Sequence, residues 1–133
     1  MTGDSVQPRV MLVDDEPIVR GLLHAKLGDL GCMVVGEVED GKQTVQAYTA
    51  LRPDMVFLDI DMPGISGLDI LVNLMQMHPD AFVVMMSGHN SIDTVQLAIE
   101  RGARGFIVKP ISPKKLQMLT EKYRQQVSAL KLT

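Results

Sequence analysis

Five polar residues follow apolar runs in a way that suits phosphoryl chemistry. Asp14 and Asp15 close Val10–Val13, Asp59 closes Met55–Leu58, Ser87 closes Phe82–Met86, and Lys109 closes Phe106–Val108. If the runs are neighbouring parallel strands, these side chains meet at one sheet edge. Three carboxylates would then crowd together. At ~4 Å and an effective dielectric of about 20, each pair repels by roughly 4 kcal/mol. Folding does not reward that repulsion, but a hard divalent cation would. Mg²⁺ prefers carboxylate oxygens, keeps several waters and bridges to phosphate. A carboxylate can attack phosphorus to form an acyl phosphate. Asp59, flanked by partners on both sides, is the candidate nucleophile. Lys109 and the Ser87 hydroxyl would hold the oxygens of the transferring group, and Gly88 would let a backbone N–H approach closely.

The elements that must position these groups alternate along the chain. A further apolar run, Met33–Val35, makes five in all. Most are continuously apolar, which predicts strands covered on both faces, as in a parallel sheet. Between them lie stripes of helical period. These are Val19, Leu23, Leu27 and Leu30, then Val45, Tyr48 and Leu51, then Leu68, Leu71, Val72 and Met75. A fourth is Val95, Ala98, Ile99 and Gly102, and the last is Leu116, Leu119, Tyr123, Val127 and Leu130. Pro17 suits a first helical turn, Ser91 an N-cap and Asp40-Gly41 a turn. Gly28, Gly31 and Gly102 suit helix ends. Five strand–helix units with right-handed crossovers predict an α/β fold, a parallel sheet with helices on both faces.

Composition narrows the class. The chain has 133 residues, a formal net charge of -3 and one cysteine. That length fits one domain and needs no disulfide or structural metal. The mildly acidic balance speaks against nucleic-acid binding by the chain alone. A lone Cys32 suits a reducing compartment and reads as a buried small residue. Residues 1–8 lack the apolar core of a signal peptide, and no run reaches the ~20 apolar residues of a membrane span. A cytoplasmic protein with no membrane contact is expected.

The motifs in chain order resemble the receiver domain of bacterial two-component response regulators. They are Val13-Asp14-Asp15-Glu16, Asp40-Gly41, Leu58-Asp59-Ile60-Asp61-Met62-Pro63-Gly64, Gly67, Ser87-Gly88, Gly102-Ala103 and Phe106-Ile107-Val108-Lys109-Pro110. Each is weak alone; together they are specific. The resemblance implies a receiver domain over 9–131 after a tail at 1–8. It implies a doubly wound, flavodoxin-like (βα)5 sandwich with strand order 2-1-3-4-5. It makes Asp59 the phosphoacceptor, fed by a sensor histidine kinase or a histidine phosphotransfer protein. Asp15 and Asp59 would bind Mg²⁺ directly, Asp14 through water, and Asp61 through its backbone carbonyl. Ser87 and Lys109 would contact the phosphoryl group, with a cis Lys109-Pro110 bond aiming the lysine. Phe106 falls on the aromatic switch position. The surface of the fourth helix, fifth strand and fifth helix would present the signal to a downstream partner, an effector domain or a second copy. Both a stand-alone regulator and a receiver within a longer protein fit this sequence. Asp61 and His89 depart from the commonest pattern. With side chains pointing outward beside the path of a hydrolytic water, they are expected to tune the phosphoryl lifetime.

Three other readings compete. Asp59-Ile60-Asp61 after a strand resembles the first motif of haloacid-dehalogenase-type phosphatases, but the acidic pair lies upstream and the chain is short for a cap. A receiver-like protein-binding module that is never phosphorylated would lack site residues that are all present here. A flavodoxin-like cofactor domain would need a phosphate-cradling loop and more aromatic residues than two Tyr and three Phe.

Overall fold

The computed structural model describes residues 7–89 and 91–132, with side chains described to residue 129. Most of the predicted tail, residues 1–6, and the Leu130 side chain of the last stripe lie outside the described residues. The order is β1 (Arg9–Val13), α1 (Pro17–Asp29), β2 (Met33–Val38), a 3₁₀ turn (Gly41–Gln43) and α2 (Thr44–Leu51). Then come β3 (Met55–Asp59), α3 (Gly67–Met77), β4 (Val83–Ser87), α4 (Ile92–Glu100), β5 (Gly105–Val108) and α5 (Pro113–Leu132). All strand pairs are parallel, in the order β2-β1-β3-β4-β5. This is the predicted doubly wound α/β sandwich.

The sheet divides two cores by simple alternation. Met11, Val13, Val56, Leu58, Val83 and Met85 face one core, where Tyr48, Ile70, Leu71, Leu74 and Ala98 of α2, α3 and α4 cover them. Val10, Leu12, Met55, Phe57, Val84 and Met86 face the other, beneath Leu23 and Leu27 of α1 and Leu116 and Leu119 of α5. The three inner strands are buried on both faces, as continuous apolar runs predict. The edge strands differ: in β2 only Val38 is fully buried, and in β5 Val108 is exposed.

Helix starts follow the expected chemistry. Pro17 opens α1, where its missing N–H costs nothing. Ser66 and Ser91 cap α3 and α4 by accepting from the Leu68 and Thr94 backbone N–H groups. Gly28, expected at a helix end, lies inside α1, and Gly31 takes the positive φ of 82° after it. No helix among the described residues is long and apolar enough to cross a membrane.

Candidate functional site

Register places the acids. Val13 pairs with Leu58, so the residues that follow, Asp14 and Asp59, emerge side by side at the carboxyl end of the sheet. Backbone bonds carry the order past the strand ends: Asp14 N–H donates to Val38 O, Ile60 N–H to Met86 O, and Lys109 N–H to Ser87 O. Lys109 thus leaves β5 beside Ser87, and the Lys109-Pro110 bond is cis.

Asp14, Asp15, Glu16 and Asp59 each offer a carboxylate oxygen within 4.8 Å of the others. Asp14 is 0% and Asp59 1% exposed. Asp14 Oδ1 accepts the Glu16 N–H, and Asp59 Oδ1 accepts the Asp61 N–H at 3.1 Å. The remaining oxygens face the cluster. Asp14 Oδ2 and Asp15 Oδ1 are buried and have no hydrogen-bond partner. Buried orphan carboxylate oxygens are costly unless something positive meets them. Their hardness and crowding fit a small divalent cation.

Lys109 meets part of that need. Its Nζ lies 2.8 Å from Glu16 Oε1, 3.3 Å from Asp59 Oδ2 and 2.9 Å from Asp14 Oδ2, the last an ion pair without hydrogen-bond alignment. Burial by itself lowers the affinity of this ammonium for its proton. The hydrogen bond to Glu16, the close Asp14 contact and the charge of Asp59 outweigh burial and hold its pKa above the usual lysine range. Asp59 moves upward too. Burial is the main cause, the Asp14 charge adds to it, and the Asp61 N–H and Lys109 only partly offset it. Lys109→Met should therefore lower metal-free stability by roughly 2 kcal/mol, because the carboxylates lose their cation. Thermal melts with and without Mg²⁺ check this, since Mg²⁺ should restore part of the loss. An unchanged melting temperature would mean that the cluster does not need Lys109.

The other predicted residues take separate places. The Asp61 carboxylate stays out of the acid cluster. It accepts the Ser87 hydroxyl at 2.8 Å. Asp61 is exposed, as an outward side chain requires, and it also has a partner there, because β4 ends with a hydroxyl within its reach. His89 is exposed, and its backbone N–H donates to Ser87 Oγ at 3.0 Å. Phe106 is half-buried against the core of α2, α3 and α4. It lines a surface groove of about 500 Å³ with Val95 and Ile99 of α4 and Lys115, Met118 and Lys122 of α5. Glu16 is the contact that the sequence reading passed over. Its one signal was a third acid directly after the Asp14-Asp15 pair. Cys32 is buried, and burial pushes its thiol pKa up, against the pull of Arg124.

Residues 10–121 match the response regulator receiver domain, and the chain belongs to that family. Receiver domains are the phosphorylation-driven signalling switches of two-component systems, and they bind Mg²⁺ in an acidic pocket. The chain is similar to the chemotaxis protein CheY of Thermotoga maritima, at 36% identity over 108 residues, which span 81% of this chain and 90% of that protein. It is also similar to the nitrogen assimilation regulatory protein NtrX of Azorhizobium caulinodans. That match is 38% identical over 115 residues, 85% of this chain but 25% of that protein. A chain of the CheX-CheY-BeF3-Mg²⁺ crystal structure from Borrelia burgdorferi matches with a TM-score of 0.85. It is 29% identical and covers 92% of this chain and 93% of its own length.

Proposed function

We propose that this receiver, residues 9–131 after a tail at 1–8, is switched by phosphorylation of Asp59. One observation carries the reading. Asp59 lies buried beside two carboxylate oxygens without hydrogen-bond partners, Asp14 Oδ2 and Asp15 Oδ1, with the Lys109 ammonium 3.3 Å from its own Oδ2. Asp15 and Asp59 would hold Mg²⁺ directly, Asp14 through water, and Asp61 through its backbone carbonyl. Bound there, the cation would supply charge neutralisation at the phosphoryl oxygens.

The chain's own residues do the rest. Asp59 Oδ2 attacks phosphorus, the new O–P bond forms, and the electron pair of the breaking bond leaves with the donor. That donor is the phosphohistidine of a sensor kinase or phosphotransfer protein. Lys109 is already beside the attacking oxygen and needs no rearrangement to meet the phosphoryl group. Ser87 then turns inward, the loop after β4 follows, and Phe106 rotates into the space released. The surface of α4, β5 and α5 changes, and a downstream partner, an effector domain or a second copy reads it. The protein catalyses only its own phosphorylation and dephosphorylation. The buried thiol of Cys32 accords with a cytoplasmic setting.

Incubation with acetyl phosphate and Mg²⁺ should add one phosphoryl group by mass spectrometry. Asp59→Asn should add none, because an amide cannot act as the nucleophile. Undiminished incorporation in that variant would reject Asp59 as the acceptor.

A further inference from the structure

Ser87 has one hydroxyl proton to give, and Asp61 holds it. Ser87 Oγ donates to Asp61 Oδ2 at 2.8 Å while accepting the His89 N–H at 3.0 Å. Ser87 is 1% exposed, so water offers little competition. A hydroxyl cannot donate twice. To donate to an oxygen on phosphorylated Asp59, Ser87 must release Asp61. Lys109 faces no such choice. A phosphoryl group on Asp59 would inherit the place of the Asp59 carboxylate beside it, and the Glu16 and Asp14 contacts could stay.

The geometry points to Asp61 as a latch on the switch hydroxyl: its carboxylate holds Ser87 in the resting position and sets how strongly phosphorylation must compete to turn it. This rests on the reading of Asp59 as acceptor and Ser87 as the group that moves. Asp61 is a positioning residue here, acting through Ser87. Releasing a charge-assisted hydrogen bond opposes the active population, so the latch weakens the response to a phosphoryl group without touching the acceptor. Asp61 is exposed, so truncating its side chain leaves both cores whole and keeps its backbone carbonyl.

The test is a titration of the Mg²⁺-loaded protein with beryllofluoride, a phosphoryl stand-in, followed by NMR. Four proteins are compared: the parent, Asp61→Ala, Ser87→Ala and the double variant. Asp61→Ala should bind beryllofluoride about tenfold tighter than the parent, since hydrogen bonds to charged groups are worth this much or more. In the Ser87→Ala background the same change should alter binding by less than about twofold. In free protein, with no beryllofluoride, Asp61→Ala should move the His89 amide resonance. An equal gain in both backgrounds would overturn the latch, because Asp61 would then act by charge repulsion alone. A parent that binds beryllofluoride while Asp61→Ala gains nothing, or an unmoved His89 amide, would overturn it as well. No binding by any of the four proteins would instead overturn the reading of the acceptor site, and the latch with it.

Discussion

Asp59→Asn should melt several degrees above the parent in metal-free buffer, and Mg²⁺ should stabilise it far less than the parent. Asp59 is buried, and its carboxyl pKa is raised, first by burial and then by the charge of Asp14. A carboxyl whose folded pKa lies above its unfolded value binds protons better when folded. It favours folding below the unfolded pKa, and that stabilisation is lost as pH rises through the folded pKa. At neutral pH the ionised group therefore opposes folding, and the amide removes the opposition. The amide oxygen can still accept the Asp61 N–H, and Lys109 keeps Glu16 and Asp14. The net gain should read as a rise of a few degrees in melting temperature. Mg²⁺ reverses the ranking. At 100 times its dissociation constant it adds about 2.7 kcal/mol to a protein that binds it only when folded. The gain of the variant at neutral pH should shrink as pH falls toward the carboxyl range. A metal-free variant that melts below the parent would mean that the Asp59–Lys109 contact outweighs burial. Equal Mg²⁺ shifts in both proteins would put the cation elsewhere.

Gly67→Ala should be the most damaging glycine-to-alanine change among the described residues, although α3 begins there and alanine favours helices. A Cβ at Gly67 would overlap the Asp59 carbonyl oxygen and lie 2.7 Å from Ile60 Cα. These atoms are backbone, so no side chain can swing aside. The helix start and the strand end that carries Asp59 must separate, although the Gly67 N–H now donates to Ile60 O. The cost should be about 3 kcal/mol or more, with phosphoryl uptake falling too, since Asp59 moves with its backbone. Gly21→Ala in α1 is the comparison. Nothing lies within 4 Å of its added Cβ, and it should stabilise by about 0.5–1 kcal/mol. Urea denaturation of the two variants and the parent tests both signs. A Gly67→Ala protein as stable as the parent would mean that the loop after β3 yields easily.

The sequence was most legible where burial is symmetric. β1, β3 and β4 lie under helices on both faces, so an unbroken apolar run marks each one. β2 was read as Met33–Val35 but runs to Val38. Gly36 and Glu37 interrupt the apolar pattern, and the pairing with β1 slips between Val10 and Met11. An edge strand tolerates both, and its exposed Glu37 instead pairs with Arg20 at 3.1 Å. The 3₁₀ turn at Gly41–Gln43 was visible only as Asp40-Gly41, because the bond from Lys42 N–H to the Asp40 side chain leaves no pattern beyond a turn residue. The site was legible as a set of strand-end residues. Its internal pairing was not. Whether Asp61 joins the acids or turns to Ser87, and whether Glu16 reaches Lys109, depends on side-chain directions in loops, which residue types and spacing do not encode.

The two-core sheet also separates the domain's chemistry from its clock. A one-residue slip of β1 against β3 would send Met11 and Val13 into the wrong core, so the packing of a dozen apolar side chains holds Asp14 level with Asp59. Asp61 and His89 sit outside both cores, on loops at the solvent edge. Under the proposed function, changes there should lengthen or shorten the phosphorylated state while leaving the packing that aligns the acids intact. On that reading one scaffold would be retimed, from a fast relay to a slow memory, by altering exposed loop residues whose replacement costs the fold little.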